Sequence, residues 1–183
     1  LNLISGPSGS GKTTLLNLIA GLEKPNSGSI MLDDIVQYSS DKFVEPENRN
    51  IGFVFQDFAL FPHLNVKQNI EFSENGNKEL FNTLIDNLSI KNYLSKYPHE
   101  LSGGQQQRAS IARAIYSEPK ILLIDEPISN QDKNNKIEII KIISDFTKDK
   151  EIVCILVSHE EIDNIAQVET RSYTLTLNSV SYT

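Results

Sequence analysis

The residues best suited to chemistry open the chain. Gly6-Pro7-Ser8-Gly9-Ser10-Gly11-Lys12-Thr13 follows the spacing Gly, four residues, Gly-Lys-Thr, which suits a loop that wraps a phosphate chain. Glycines let the backbone turn its N–H groups inward, and a helix starting near Lys12 adds the positive end of its dipole. Lys12 is placed to reach β- and γ-phosphates, Thr13 to offer a hydroxyl to Mg²⁺, and Thr14 lies beside them among the binding candidates. A chance glycine-rich turn is the competing reading. Its surroundings argue against it, because Leu1-Asn2-Leu3-Ile4 reads as a short buried strand and Leu15 to Ala20 as a helix ending near Gly21.

Other candidates stand at the ends of apolar runs. The run Ile51-Gly52-Phe53-Val54-Phe55 ends in Gln56, whose amide can face Mg²⁺ or an attacking water, or can be an exposed loop amide; spacing alone leaves these even. Ile121-Leu122-Leu123-Ile124 has the continuous apolar character of a strand buried on both faces, and it ends in Asp125-Glu126. Adjacent carboxylates at a strand's carboxyl end suit Mg²⁺ (Asp125) and an attacking water (Glu126), with structural capping as the plain alternative. Ile152 to Val157 is a third such run and delivers Ser158-His159, where His159 suits a γ-phosphate contact or a capping role.

A further cluster, Leu101-Ser102-Gly103-Gly104-Gln105, precedes a helix with apolar residues at 111, 114 and 115. Ser102 is its expected N-cap, and the Gly103-Gly104 start exposes N–H groups that could hold a second anion, although ordinary capping explains the residues equally simply. Arg108 and Arg113 read as solvated or ion-paired surface.

These residues need elements to carry them. The remaining pattern gives a strand at Ser29–Leu32, a turn at Asp33-Asp34, a polar surface loop from Gln37 to Asn50, a helix from Asn134 to Phe146, a short helix from Glu160 to Gln167, and an edge strand at 172–177. Between Phe58 and Tyr97 the chain reads as a helical insert, with helices at Glu79–Asn87 and Ile90–Tyr97. Phe58, Leu60, Phe61 and Leu64 beside Pro62 form an apolar group that serves as insert core and docking surface together. His63 and His99 lack partners at metal-ligand spacing.

The chain has 183 residues, 39% of them hydrophobic, with a formal charge of −7. That is one α/β domain with a real core, without an apolar run able to span a bilayer, and too acidic for a broad nucleic-acid footprint. The single cysteine, Cys154, reads as a buried small hydrophobe. Nothing at the N-terminus resembles a signal peptide, and the phosphate loop comes so early that strands ahead of it are expected to be missing, as in an N-terminal truncation.

Together the motifs resemble the ATP-binding cassette (ABC) ATPases: GPSGSGKT (6–13), Gln56 as the Q-loop, LSGGQ (101–105) as the signature, ILLIDE (121–126) as Walker B, and His159 as the switch histidine. Within that family, VFQDFALFPHLNVKQNI (54–70) and LSGGQQQR (101–108) look like bacterial solute-importer ATPases, and the small insert with the tail 157–172 leans towards the thiamine and iron importer-like group.

The resemblance implies a P-loop NTPase (RecA-like) parallel-sheet core, residues 1–56 and 118–183, with a helical subdomain at about 57–117. It implies ATP and Mg²⁺. Gly6, Pro7, Ser8, Gly9, Ser10, Gly11, Lys12, Thr13 and Thr14 would hold the phosphates, and Thr13, Gln56 and Asp125 the metal. Glu126 would be the general base, with His159 and Gln56 assisting. Ser102, Gly103, Gly104 and Gln105 would bind the ATP of a second, head-to-tail subunit. The Gln56–Leu64 region would receive a membrane permease, placing the protein on the cytoplasmic face of the membrane with no nucleic-acid partner. A non-transport cassette acting as a clamp or assembly factor is the alternative. Gln131 in the D-loop segment 128–132 departs from the family's usual apolar residue, and the aromatic that stacks on adenine would lie ahead of Leu1.

Overall fold

A computed structural model describes residues 1–126, 133–158, 170–176 and 179–182, with only the backbone of 133, 134, 136 and 179–182. His159, the segment 128–132 and the expected helix Glu160–Gln167 lie outside the described residues.

The strands β1 (Asn2–Ser5), β5 (Ile51–Val54), β6 (Ile121–Asp125), β7 (Val153–Ser158), β8 (Arg171–Thr176) and β9 (Ser179–Tyr182) form one sheet in the order β5-β6-β7-β1-β8-β9. All neighbours are parallel except β8 and β9. The apolar runs explain the parallel part, since strands covered on both faces have no solvent side to mark with polar residues. All of β6 is buried. Its residues alternate between two cores: Ile121 and Leu123 pack with Ile4, Leu16 and Val157, whereas Leu122 and Ile124 pack with Leu3, Ile140 and Leu156.

Helix α1 (Lys12–Ala20) covers the first face through Leu16 and Ala20. The second face is covered by α5 (Lys133–Asp149) and by helices α2 (Val66–Ile70), α3 (Lys78–Asn87) and α4 (Gly103–Tyr116). Side-chain caps start three of these: Asn65 for α2, Asn77 for α3 and Ser102 for α4.

Three local expectations need correction. Part of the segment read as a polar loop from Gln37 to Asn50 is sheet: β3 (Ile35–Ser39) runs into it and β4 (Lys42–Phe43) lies within it, and both join β2 (Ile30–Leu32), the strand expected at Ser29–Leu32, in an antiparallel unit. Asp33 and Asp34, at φ 48° and 61°, make its first turn, a left-handed pair that aspartate tolerates and that matches strand twist. The expected helix Ile90–Tyr97 is only the short 3-10 turn Lys91–Tyr93, because the stretch is too brief and irregular to nucleate a helix. Strand β8 is not an edge: it lies between β1 and β9, and its half-polar pattern had disguised that.

Candidate nucleotide site

The site grows from register. Val54 of β5 is paired with Ile124 of β6, so Gln56, just past one strand, falls level with Glu126, just past the next. Asp125 is paired with Val157 of β7, and Ser158 with Ser5 of β1. The carboxyl edge of the sheet therefore carries a polar row, Gln56, Glu126, Ser158 and Ser5, and the phosphate loop leaves from its end. Strand β7 lies between β1 and β6, which sets the loop and the Asp125-Glu126 pair two strand spacings apart, about 10 Å. A phosphate chain with its metal and a water fits such a gap.

In the loop, Gly9 and Gly11 have φ of 78° and 92°, a left-handed backbone that side chains resist. Gly6 is constrained by space instead, since a Cβ there would meet the Leu175 carbonyl and lie 2.8 Å from Ser10 Oγ. Lys12 is 5% exposed, and its Nζ donates to the carbonyls of Gly6 (2.9 Å) and Pro7 (3.0 Å), which curls the loop around the ammonium group. Ser10 is also buried, and Pro7, Ser8, Thr13 and Thr14 are exposed.

Ser8, Gly9, Gly11, Lys12, Thr13, Thr14, Gln56 and Glu126 line one open cavity of about 380 Å³. Gln56 Nε2 donates to Glu126 Oε2 at 3.3 Å across it. Glu126 sits at φ 48°, and its amide donates to the Val157 carbonyl at 3.1 Å, so strand pairing fixes the backbone that carries the carboxylate. Asp125 is 3% exposed at the strand end. Thr13 (a hydroxyl) and Gln56 (an amide oxygen) line the cavity, whereas Asp125 lies buried at the strand end beside Glu126 and is not part of the lining; hydroxyl, amide and carboxylate oxygens are the hard donors that suit Mg²⁺.

Ser102 to Gln105 do not line this cavity. They form a reciprocal cap at the start of α4: Ser102 Oγ accepts from the Gln105 amide (3.3 Å), and Gln105 Oε1 accepts from the Ser102 amide (3.1 Å). Ser102 and Gly103 are exposed, and a Cβ on Gly103 would meet nothing, so this helix start is open to an outside ligand.

Arg113 departs from its expected role, and Arg49 has a role that no expectation covered. Arg113 is not solvated or ion-paired surface; it donates to the carbonyls of Ala59 (2.8 Å) and Phe58 (3.2 Å) and lies over the Phe61 ring. Burial lowers its pKa, with the charge held by those carbonyls. Its place in the buried run Ala109 to Tyr116 was the available signal. Arg49, unremarked in the sequence, ties β4's exit to α1: Nη1 donates to the carbonyls of Leu18 (2.9 Å) and Ile19 (2.8 Å), and Nε to Val44 (2.9 Å). Arg108 is ion-paired with Glu138 at 2.9 Å, as expected. His63 stands beside Phe61, and His99 stacks on Tyr97.

The chain is similar to known proteins in sequence and in fold. The molybdenum import ATP-binding protein ModC of Aliivibrio fischeri is 40% identical over 184 residues, covering 99% of this chain and 50% of ModC. The Fe(3+) ions import ATP-binding protein FbpC of Pseudomonas fluorescens is 43% identical over 164 residues, 87% of this chain and 47% of FbpC. The chain thus spans about half the length of the curated relatives it matches. The ATP-binding cassette MJ0796, solved as a dimer in a post-hydrolysis state bound to ADP and Pi, superimposes with a TM-score of 0.82 at 30% identity, covering 100% of this chain and 84% of that one. A family model described as ABC transporter matches residues 1–129, and with that match and these relatives the chain belongs to the ABC transporter family.

Proposed function

We propose that the protein is the ATP-hydrolysing subunit of an importer, working as a head-to-tail pair on the cytoplasmic face of the membrane. The observation that carries this reading is the convergence of Lys12, Gln56 and Glu126 on one cavity at the sheet's carboxyl edge. The loop amides and Lys12 hold the β- and γ-phosphates of ATP. Glu126 accepts a proton from the attacking water, and Gln56 keeps its carboxylate turned towards that water. Thr13, Asp125 and Gln56 are the residues that would hold Mg²⁺, whose chemistry is to neutralise charge on the phosphate oxygens. His159 serves as the γ-phosphate contact.

The helical subdomain, about 57–117, presents Ser102 to Gln105 to the ATP of the second copy. The supporting observation is the open, capped start of α4 outside its own chain's cavity. Residues from Gln56 to Leu64, with the rings of Phe61 and the exposed Phe72 tilted against each other at 4.5 Å, form the seat for a permease subunit. The importer assignment rests on relatives named for molybdenum and Fe(3+) import.

The test compares wild type with Glu126→Gln. Replacing the base by an amide is expected to slow ATP hydrolysis at least about a hundredfold while ATP still drives dimer formation in light scattering. Turnover at the wild-type rate in that variant would remove Glu126 from the mechanism.

A further inference from the structure

Gln56 is held at the cavity by its own carboxamide and by the backbone that follows it. That backbone is unusual. Phe58 and Ala59, neither of them glycine, have φ of 65° and 44°, a consecutive left-handed pair that side chains disfavour. Such a pair persists only where its surroundings hold it. Phe58's amide bonds back to Phe55 (2.9 Å), and beyond the pair Asn69, fully buried, binds both the amide (2.9 Å) and the carbonyl (3.2 Å) of Phe61. The left-handed pair itself is gripped from another element. Arg113 of α4 sends Nη1 to the Ala59 carbonyl and Nη2 to the Phe58 carbonyl, with its guanidinium 5.1 Å from the centre of the Phe61 ring.

Helix α4 is the helix that Ser102 caps. We infer that Arg113 is a positioning residue: it holds the Phe58–Ala59 backbone in its left-handed form, and so fixes Gln56 against Glu126 in step with the position of the Ser102-capped helix. A shift of α4, when its N-terminus engages a ligand, is passed to Gln56 through two hydrogen bonds on consecutive carbonyls. Arginine suits this role because its planar fork presents two N–H groups at a fixed separation, whereas a lysine ammonium that bonds two carbonyls from one atom, as Lys12 does, fixes no such separation. This inference rests on the ATPase reading above for its kinetic consequence, but the conformational part stands on the geometry alone.

The experiment uses the full chain with Arg113→Ala, Arg113→Lys, Ala59→Gly and the double variant Arg113→Ala with Ala59→Gly. A nitroxide on Asp57→Cys, an exposed position, reports local mobility, while the native Cys154 is buried and escapes labelling. Arg113→Ala is expected to mobilise the label and to lower kcat roughly ten- to a hundredfold with KM for ATP changed less than about twofold, the signature of lost orientation. Arg113→Lys recovers only part of the rate. Ala59→Gly, which accepts positive φ without strain, restores part of kcat to Arg113→Ala, an effect that a mere packing role would not produce. An unchanged label in Arg113→Ala, or a kcat that Ala59→Gly leaves unrestored, overturns the inference. Absence of ATP hydrolysis in the wild type counts against the ATPase reading instead, and label mobility then decides on Arg113 by itself.

Discussion

Gln56 and Glu126 lie 70 positions apart in the chain, yet the Gln56 amide meets the Glu126 carboxylate at 3.3 Å because their strands are paired with Val54 opposite Ile124. The contact is a product of sheet register. The neighbouring strand pairings carry the same line on to Ser158 and Ser5, where the phosphate loop begins.

Removing the amide therefore isolates what it contributes. Gln56→Ala leaves the strand intact but frees the Glu126 carboxylate from its donor. Turnover is expected to fall roughly tenfold or more through lost orientation, with KM for ATP changed far less. Steady-state kinetics at saturating and limiting ATP check this, and equal loss in kcat/KM through KM alone would mean that Gln56 acts in ground-state binding.

Much of this site is legible in the sequence because its residues follow apolar runs. Ile121 to Ile124 could only be a central strand, and whatever follows a central parallel strand sits at the ligand edge, so Asp125 and Glu126 were marked by position as well as type. The capped start at Ser102 was legible for a similar reason, since serine before a helix with glutamine at its third position is a local signal. Arg49 was not legible, and Arg113 only by its place in a buried helical run. Their partners are backbone carbonyls at remote positions, and a carbonyl leaves no trace in residue type. Strands β3 and β4 were missed because such short strands lack strong periodicity, although β2 and the turn after it were legible, and the interior place of β8 was missed because Thr and Tyr suit an edge or an interior strand equally.

Ser102 separates stability from assembly. Ser102→Ala removes the oxygen that accepts from the Gln105 amide and should cost about 1 kcal/mol of stability. Because Ser102 lies outside its own chain's phosphate cavity, binding of ATP to isolated monomers is expected to persist. Dimer formation on adding ATP should be lost. Calorimetry of nucleotide binding beside light scattering distinguishes the two, and a monomer that fails to bind ATP would contradict the head-to-tail reading.

Arg49 predicts a stability effect that reaches the phosphate loop. It closes the carboxyl end of α1, whose other end begins at Lys12, and Gly21 has no room for a side chain beside its guanidinium. Arg49→Met keeps most of the apolar stem but strands the Ile19 and Val44 carbonyls and leaves Leu18's with only the Gly21 amide. A loss of roughly 2–4 kcal/mol in urea unfolding is expected, since bonds from a charged donor are worth about 1.5–3 kcal/mol each and water replaces some of them. A change below about 0.5 kcal/mol would show that solvent reaches those carbonyls freely.

Cys154 gives a pH dependence with a definite sign. The thiol is 2% exposed in β7, and burial pushes its pKa from 9.0 up to about 12. Its folded pKa is the raised one, so the contribution is fully present below pH 9.0, where the thiol is neutral folded or unfolded. As pH rises from 9.0 towards about 12, the unfolded chain releases this proton while the folded chain retains it, and stability falls by up to about 1.4 kcal/mol per pH unit. Cys154→Val, a close apolar match for a strand interior, removes this group and no other. Urea melts of the two proteins between pH 8 and pH 10.5 should then diverge steadily above pH 9, with the valine variant losing less; parallel curves across that range would place the thiol in contact with solvent.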